Sequence, residues 1–419
     1  MPKQSRRRTV RRAARGRHAA LLEDFLDAGI RTVGVMLTTD CNLRCAYCCQ
    51  ARGPRREMAV EVLDAAIRAL LTSRLDRPRL TLLGGEPLIS PRLVRRALER
   101  VRKWAPPGMH PDVHLFTNGL RLDEKTTRFL VRRDVHIDLS FDGVASAQDD
   151  RSPGSFDVLD RLLVRHRRDH PEHFRTRLAI KATLTSRNVP FLAASVRYFL
   201  SRGVRDVDIL PVITHDPGWN TRARDELDRQ LASMVRASIE EHALSGEIPF
   251  RAIRDGDASP RHSSGGGLVC GAARRDALFV EVDGSISPCA AMAGSCLPQP
   301  PPFVREVMTA LGGLHVADPH LAEKLKARER RAARLPLLAG GLACHPGSGR
   351  CAACELRGVC LICPVSIGFA SAASGANRIP AIQCDFNRLV EKHRTAFHRS
   401  IHEKAAAASP ARPTIAARN

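Results

Sequence analysis

The chain of 419 residues lacks an apolar run of the roughly 18 residues that a membrane-spanning helix requires. No apolar segment follows its basic amino-terminal stretch, so we expect no signal peptide. With 29 Gly and 27 Pro, the composition excludes a collagenous or low-complexity protein. We therefore expect a globular, cytoplasmic protein that does not bind a membrane and forms one large or two medium-sized domains.

Lysine and aromatic residues are both scarce. Only eight of the 66 basic residues are Lys, and the formal net charge is +22. A charge of this size can indicate a nucleic-acid partner, but Arg spread through an Ala-rich chain is also what a GC-rich coding bias produces. Because aromatic residues make up only 4% of the chain, few side chains can stack on bases. Nucleic acid is therefore not the favoured partner.

Cysteine, in contrast, is abundant. The chain has 13 cysteines, and nine of them lie between Cys270 and Cys384. In a reducing compartment such cysteines are metal ligands or catalytic thiols rather than disulfides.

Apolar runs and amphipathic segments alternate in the first half of the chain and predict six βα units. Right-handed crossovers between such units give an open, partial (β/α)6 barrel, an α/β fold. A helix is predicted over 222–243, and a stretch rich in Gly, Ser and Asp follows at 254–267. The predicted strands are 33–37, 80–83, 113–116, 137–141, 178–184 and 207–212.

Five segments follow from this pattern. We expect a basic tail and short helix at 1–28, the barrel at 29–245 and a linker at 246–267. A small cysteine-rich α+β domain follows at 268–390, and a carboxyl-terminal helix with a frayed tail at 391–419. Bound metal is expected to supply much of the folding free energy of the cysteine-rich domain.

Unusual residues cluster where the predicted strands end. Cys41, Cys45 and Cys48 follow the first strand, and three thiolates suit a [4Fe-4S] cluster with one open iron. A zinc site would need a fourth ligand, and the nearby Cys49 leaves the backbone in another direction, so we assign Cys49 to packing. Gly84-Gly85-Glu86-Pro87 follows the second strand, Asn118 the third, and Ser140-Phe141-Asp142-Gly143 ends the fourth.

The cysteine spacing, the aromatic residue before its last cysteine and the Gly-Gly-Glu-Pro segment together resemble the radical S-adenosylmethionine (radical SAM) superfamily over residues 32–212. The resemblance implies S-adenosylmethionine and one [4Fe-4S] cluster as cofactors, with the cluster reducing the sulfonium to release an alkyl radical. Ser140 is expected to hydrogen-bond the ribose or the carboxylate of the cofactor. Arg151 is expected either to pair with a carboxylate or to be a solvated loop residue. Asn118 is expected either to contact the ligand or to cap the following turn. The remaining assignments are Cys41, Cys45 and Cys48 to the cluster, Gly84, Gly85, Glu86 and Pro87 to the methionine end, and Tyr47 to the adenine.

The later cysteines follow a different pattern. Taken alone, their CxxC pairs would favour zinc. Their order, however, is similar to the SPASM domain of many radical SAM enzymes, which implies two auxiliary [4Fe-4S] clusters. Cys296 or Cys344 either completes the first auxiliary cluster or is a buried thiol. The resemblance assigns Cys270, Cys289 and Cys363 to the first auxiliary cluster and Cys351, Cys354, Cys360 and Cys384 to the second, with a Cys360–Cys363 gap one residue shorter than usual.

The leading hypothesis is a radical SAM/SPASM maturase that oxidatively modifies a ribosomally made precursor peptide, with a flavodoxin or ferredoxin as electron donor. With only about thirty residues before the first strand, we expect a leader peptide to bind the barrel, the second domain or a partner. Ala290 and Ala291 follow Cys289 where the sulfatase-maturing branch has an acidic residue, which disfavours that branch. A dehydrogenase of small metabolites and a nucleic-acid-binding or RNA-modifying iron-sulfur protein stay open as alternatives.

Overall fold

The computed structural model describes residues 30–50, 53–254, 277–297, 300, 302–332, 354–356, 360, 362–374 and 379–408. Within these ranges the chain forms a single nine-stranded sheet with helices packed against it. The predicted tail and helix at 1–28, most of the predicted linker, and Cys270, Cys344 and Cys351 lie outside the described residues.

The strands observed in the described residues are short and end close to their predicted positions. They are β1 (Thr32–Met36), β2 (Arg79–Leu83), β3 (Asp112–Thr117), β4 (His136–Ser140), β5 (Leu178–Leu184), β6 (Val207–Pro211), β7 (Ala277–Val280), β8 (Ser285–Ser287) and β9 (Leu314–His315).

The helices alternate with the first six strands and then dominate the second part. They are α1 (Val60–Leu71), α2 (Pro91–Trp104), α3 (Glu124–Val131), α4 (Ala145–Gln148), α5 (Phe156–Asp169), α6 (Pro171–Arg177), α7 (Leu192–Ser201), α8 (Thr221–Ser245), α9 (Pro302–Leu311), α10 (Leu321–Ala332), α11 (Pro364–Ser374) and α12 (Ala381–Ala408).

The first six strands are parallel and stand in chain order, β6-β5-β4-β3-β2-β1. Alternate residues such as Val33, Val35, Leu80 and Leu82 are fully buried in the main hydrophobic core, because successive side chains of a strand point to opposite faces. Right-handed crossovers then bring every carboxyl-terminal strand end to one edge. This architecture confirms the predicted partial α/β barrel.

The opposite face of the sheet is more polar and partly open. Phe116 on β3 and Leu210 on β6 are 36% and 40% exposed, and Lys181 on β5 lies within 5.8 Å of the Phe116 ring centroid. This face forms the concave side of the partial barrel.

The hairpin of the cysteine-rich part joins the barrel sheet. β7 pairs in parallel with β1, with Val33 opposite Leu278, while β8 and β9 continue antiparallel. The sequence pattern gave no prediction of this pairing with β1. The cysteine-rich part is therefore anchored on the edge of the sheet next to the first cysteine motif.

Part of the predicted linker packs on the other edge of the barrel. α8 begins at an Asn220 cap that accepts from the Ala223 N–H (3.1 Å) and ends before Gly246 in the left-handed region. The Val207 N–H then donates to the Pro249 carbonyl (2.9 Å), and Phe250 is fully buried. Residues 247–254 thus cover the β6 edge.

Among the described residues, none of the helices combines the length and apolar composition that crossing a bilayer would need.

Candidate functional site

The loop after β1 carries the first three predicted ligand cysteines, and hydrogen bonds fix its start. The Leu37 N–H donates to the Leu83 carbonyl (2.9 Å), which extends the β1–β2 pairing. The Thr38 hydroxyl donates to the Arg56 carbonyl (2.9 Å) and accepts from the Asp40 N–H (3.0 Å). The chain therefore enters the cysteine motif from a fixed position at the carboxyl edge of the sheet.

Cys41, Cys45 and Cys48 lie close enough for their charges to interact. Burial raises the pKa of Cys41, and Glu86 and Cys48 add to that shift. Burial also raises the pKa of Cys45 to about 11, with Cys48 and Cys41 acting in the same direction. The Leu43 N–H donates to Cys41 Sγ (3.4 Å). Thiols grouped in this way need a bound cation to be deprotonated together, so the site fits an iron-sulfur cluster.

The Gly-Gly-Glu-Pro loop after β2 is pressed against the same segment. The Gly85 N–H donates to the Thr38 carbonyl (2.8 Å), and the Glu86 N–H donates to the Asp40 carbonyl (2.8 Å). A Cβ atom on Gly84 would lie 2.4 Å from the Thr38 oxygen, and one on Gly85 would lie 2.1 Å from the Asp40 oxygen. Only glycine allows this approach, which joins the two loops predicted to bind cluster and cofactor.

Glu86 is 1% exposed, and its side chain organises the turn after β3. Its carboxylate accepts from the Leu88 N–H (3.1 Å), the Thr117 hydroxyl (2.8 Å) and the Asn118 N–H (2.8 Å). Burial raises the pKa of Glu86, while these hydrogen bonds oppose the shift. Since a carboxylate has about four acceptor positions, Glu86 retains capacity for one further donor.

Asn118 adopts the turn-capping arrangement that was one of its two predicted roles. Its Oδ1 atom accepts from the Leu120 N–H (3.1 Å), which is an Asx turn. Its Nδ2 atom donates to Asn42 Oδ1 inside the cysteine motif (2.9 Å). Asn118 thereby fixes the motif from the β3 side, and its contact with a cofactor stays a prediction.

Tyr47, Asp142 and Arg151 form a buried polar group beside Cys45. The Arg151 guanidinium donates to both Asp142 carboxylate oxygens (2.8 and 3.2 Å), and the Tyr47 hydroxyl donates to the same carboxylate. Only 10% of the Arg151 side chain is exposed and none of the Asp142 side chain. Of the two roles predicted for Arg151, the solvated loop residue is therefore wrong, whereas pairing with a carboxylate agrees with the Asp142 contact.

The pKa values in this group follow from its burial. Burial raises the pKa of the Tyr47 hydroxyl, and Asp142 adds to that shift. Burial opposes the charge of Arg151, but the Asp142 carboxylate raises the pKa of the guanidinium overall. The sequence analysis named the segment that contains Asp142 but gave this residue no role. An acidic residue directly after the apolar end of a strand was a signal that could have identified it as a site residue.

Ser140 and Pro87 occupy ordinary positions at the barrel mouth. Ser140 is the half-buried last residue of β4, opposite Lys181 of β5. Pro87 begins a buried 3-10 turn, Pro87–Ile89, whose preceding residue Glu86 accepts from the Leu88 N–H. Their roles toward a cofactor stay predictions.

Two of the cysteines predicted for the first auxiliary cluster share one environment. Cys289 follows β8 and Cys363 precedes α11, and both are half-buried. Cys270 lies outside the described residues. Both thiols pack against the same apolar group of Met292, Leu297, Val304 and Val365.

The second predicted set lies around the start of α12. The Asn387 side chain donates to Cys360 Sγ (3.4 Å), and Asn387 is three residues after Cys384 in the same helix. Cys354 is half-buried, and Cys351 lies outside the described residues. The backbone carbonyls at the end of β6 accept from Gln383 (3.0 and 3.4 Å), so α12 is attached to the barrel mouth at this point.

Cys49 and Cys296, which the sequence interpretation left outside the main ligand sets, lie together. Their Sγ atoms are 3.5 Å apart, and both contact an apolar group that includes Met36, Phe279 and Ala293. A packing role for Cys49 agrees with this position.

A second polar network lies toward the amino ends of β3, β4 and β5. His114 Nδ1 is 2.7 Å from Asp138, and its Nε2 is 3.1 Å from Asp112. Burial opposes the charge of His114, but these carboxylates raise its pKa overall. Burial opposes the charge of Asp138, but contacts with His114, His136 and Lys181 lower the pKa of its carboxyl.

His114, His136 and Asp138 have ligand atoms within 4.8 Å of one another, as in a metal site. However, the two rings stack 4.3 Å apart with planes inclined by only 18°. One ion cannot lie in the plane of both rings in this arrangement, as coordination requires. Arg79 (3.7 Å) and Arg177 (2.9 Å) also face the neighbouring Asp112, so we interpret the network as a buried ion-pair group.

Comparison with known proteins supports the fold. A GTP 3',8-cyclase from Parasynechococcus marenigrum (strain WH8102) is 33% identical over 222 residues, 50% of this chain and 60% of the relative. The uncharacterized protein MJ0907 of Methanocaldococcus jannaschii is 23% identical over 185 residues, 43% of this chain and 62% of the relative. The chain thus matches less than two thirds of the length of each of these relatives.

Two solved structures share the fold at low sequence identity. Native anSMEcpe with bound AdoMet and Kp18Cys peptide is 16% identical, with a TM-score of 0.65 over 90% of this chain and 99% of that chain. Streptococcus suis SuiB bound to precursor peptide SuiA is 13% identical, with a TM-score of 0.54 over 84% of this chain and 76% of that chain. Residues 35–190 match the model of the Radical SAM superfamily. Residues 35–190 thus carry a Radical SAM domain, and the fold around this domain is shared with the two solved structures.

Proposed function

We propose that the protein is a radical SAM enzyme that oxidatively modifies a ribosomally made peptide, by a crosslink or a similar C–H functionalisation. The observation that carries this proposal is the contact between two loops at the barrel mouth. The loop with Cys41, Cys45 and Cys48 lies against the Gly84-Gly85 turn through main-chain hydrogen bonds. An open-iron cluster and a chelating amino acid would have to meet at such a junction.

Cys41, Cys45 and Cys48 would hold the first [4Fe-4S] cluster. The cluster and S-adenosylmethionine together would supply a 5'-deoxyadenosyl radical that abstracts hydrogen from substrate. The residues of the chain would bind and orient the cofactor: main-chain groups of the Gly84 to Pro87 turn would face its methionine end, and Glu86 is fixed by its three donors. Ser140 and Asn118 would add polar contacts.

The buried group of Tyr47, Asp142 and Arg151 would form one wall of the cofactor site. Arg151 lies with its guanidinium carbon 5.3 Å from the Tyr47 ring centroid, which fixes the ring orientation. Since Ala46 N–H also donates to the Asp150 carbonyl (2.9 Å), the cluster loop is attached to this wall by main chain as well. The wall would exclude water from the radical.

The cysteine-rich part would hold two auxiliary [4Fe-4S] clusters in a SPASM-like domain at about 268–390. The first auxiliary cluster would be held by Cys270, Cys289 and Cys363. The environment that Cys289 and Cys363 share supports this set. The second auxiliary cluster would be held by Cys351, Cys354, Cys360 and Cys384. The hydrogen bond from Asn387, one helical turn after Cys384, to Cys360 Sγ supports this set. Auxiliary clusters of this kind suit a net oxidation, because they can accept the electron that a substrate radical loses.

A peptide substrate is supported by the solved structures of the same fold. Both anSMEcpe and SuiB are described with bound peptides, and the concave face here offers the half-exposed apolar side chains Phe116 and Leu210. A small reducing protein such as a flavodoxin or ferredoxin would supply electrons.

The test is anaerobic reconstitution followed by two assays. We expect about twelve irons per chain and release of 5'-deoxyadenosine when dithionite and S-adenosylmethionine are added. A co-expressed precursor peptide should lose two hydrogen atoms in a mass spectrum. A colourless protein that binds zinc and releases no nucleoside would contradict the proposal.

A small-molecule substrate is the second candidate, and the matches to GTP 3',8-cyclases favour it. The two candidates share the radical chemistry and differ in the substrate. Nucleoside release that increases with added GTP, together with an unchanged peptide mass, would favour the second candidate. The third hypothesis, a nucleic-acid-binding protein, predicts binding that falls steeply with salt.

A further inference from the structure

Cys49 and Cys296 form a thiol pair that the proposed cluster sets do not use. Their Sγ atoms are 3.5 Å apart although 247 positions separate them in the chain. Cys49 belongs to the loop after β1, and Cys296 belongs to the segment that follows β8. The pair therefore lies between two segments that are distant in sequence and become neighbours only in the folded chain.

The surroundings hold both thiols in place. Cys296 is 6% exposed, and its N–H donates to the Ala293 carbonyl (2.9 Å). The hydroxyl of the neighbouring Ser295 lies 3.7 Å from Met36 Sδ on β1, so this segment passes next to β1. Cys49 is half-buried, so a small molecule in solution can reach it more readily than Cys296.

A disulfide needs the two sulfur atoms at about 2.05 Å. Starting from 3.5 Å, the two sulfur atoms must approach by about 1.5 Å, and the described residues packed around them include the apolar side chains of Met36 and Phe279. Since Cys49 is adjacent in sequence to Cys48, a bond from Cys49 would fasten the first cysteine loop to the segment that begins at Cys289.

We propose that Cys49 and Cys296 form a reversible disulfide, a redox modification site separate from the cluster ligands. The oxidant is a small disulfide such as oxidised glutathione. Cys49 attacks one sulfur of glutathione disulfide and releases one reduced glutathione. The Cys296 thiol then displaces the second glutathione, so two thiols are oxidised, one disulfide is reduced and the two protons pass to the departing thiols.

The test uses the full chain, loaded with iron under anaerobic conditions and treated with oxidised glutathione. Alkylation, denaturation and non-reducing electrophoresis should show a faster-migrating band, because the bond closes a long loop. Mass spectrometry should find the peptide with Cys49 linked to the peptide with Cys296. We expect the linked peptide to exceed its level in C49S and in C296S by more than about tenfold, and dithiothreitol to remove it.

The variant S295A is the matched control, because it changes the neighbouring residue and leaves both thiols. It should crosslink like the unchanged chain, and C49S should keep the full iron content. A lasting glutathione adduct on Cys49 without a link to Cys296 would overturn the proposal. A crosslink that forms only while iron is lost would overturn it too, because the ligand cysteines would then be its source. Should C49S fail to fold, fragment-ion mapping of the crosslink in the unchanged chain and in S295A still shows whether Cys49 and Cys296 are the linked residues.

Discussion

Gly85 and Asp40 are so close that a single added methyl group would not fit between them. A Cβ atom on Gly85 would lie 2.1 Å from the Asp40 carbonyl oxygen and 2.9 Å from that of Thr39. Both obstructing atoms belong to main chain, which cannot rotate away as a side chain can. The junction between the cysteine loop and the Gly-Gly-Glu-Pro loop therefore depends on glycine.

Gly85→Ala should separate these loops and break the hydrogen bond from the Glu86 N–H to Asp40. We expect a loss of stability of about 1–3 kcal/mol from the overlap, seen as a lower midpoint of thermal unfolding, and a large loss of S-adenosylmethionine binding in equilibrium dialysis. Gly53→Ala is the matched control, since a Cβ there meets no atom within 4 Å. Equal effects of the two variants would show that the close approach is unimportant.

Cys45→Ala should remove one cluster and leave the others. Because Cys45 is proposed to hold only the first cluster, we expect iron to fall from about twelve to about eight atoms per chain and 5'-deoxyadenosine release to stop. Iron analysis and chromatography of the reaction mixture measure both. Cys49→Ser should retain iron and nucleoside release. Undiminished nucleoside release by Cys45→Ala would remove that residue from the ligand set.

The periodicity of the sequence predicted much of this fold. Strands such as β2 were placed within a few residues because their alternate positions are apolar, and parallel strands bring residues as distant as Cys41 and Glu86 to one edge. Contacts between remote segments had no local signal. The pairing of β7 with β1 and the approach of Cys49 to Cys296 depend on how two parts of the chain pack, which periodicity does not encode.

The burial of Arg151 was also beyond the sequence. The polar segment that carries Arg151, just before Pro-Gly, has the composition of a solvated loop. The buried position of Arg151 is explained by its pairing with the carboxylate of Asp142 at the end of β4. Likewise, Asn118 could face ligand or backbone on sequence grounds; in the structure it accepts from the Leu120 N–H, and its contact with a cofactor stays a prediction.

Arg151→Met should be strongly destabilising because it leaves the Asp142 carboxylate buried without its cation. Removing one partner of a buried pair costs about 3–5 kcal/mol. Arg92→Met is the control: Arg92 also pairs with a carboxylate, that of Glu57 (3.0 Å), but the two side chains are 68% and 45% exposed, and such exposed pairs contribute about 0–1 kcal/mol. Denaturant unfolding measures both. Similar losses in the two variants would show that burial does not set the strength of the Asp142 pair.

The network around His114 should make part of the stability depend on pH. Because the folded-state pKa of His114 is raised, the stability it contributes is fully present below its unfolded pKa of about 6.5 and is lost as pH rises through the folded value. The pKa values of His166 and His173 are lowered, so their contributions to stability change with pH in the opposite direction. The pH dependence of stability in the unchanged chain alone therefore does not isolate the contribution of His114. His114→Gln removes only the first contribution. The difference in thermal midpoint between the unchanged chain and His114→Gln should therefore shrink from about pH 6 to about pH 9. A difference that stays constant or grows over that range would mean that His114 is neutral in the folded protein.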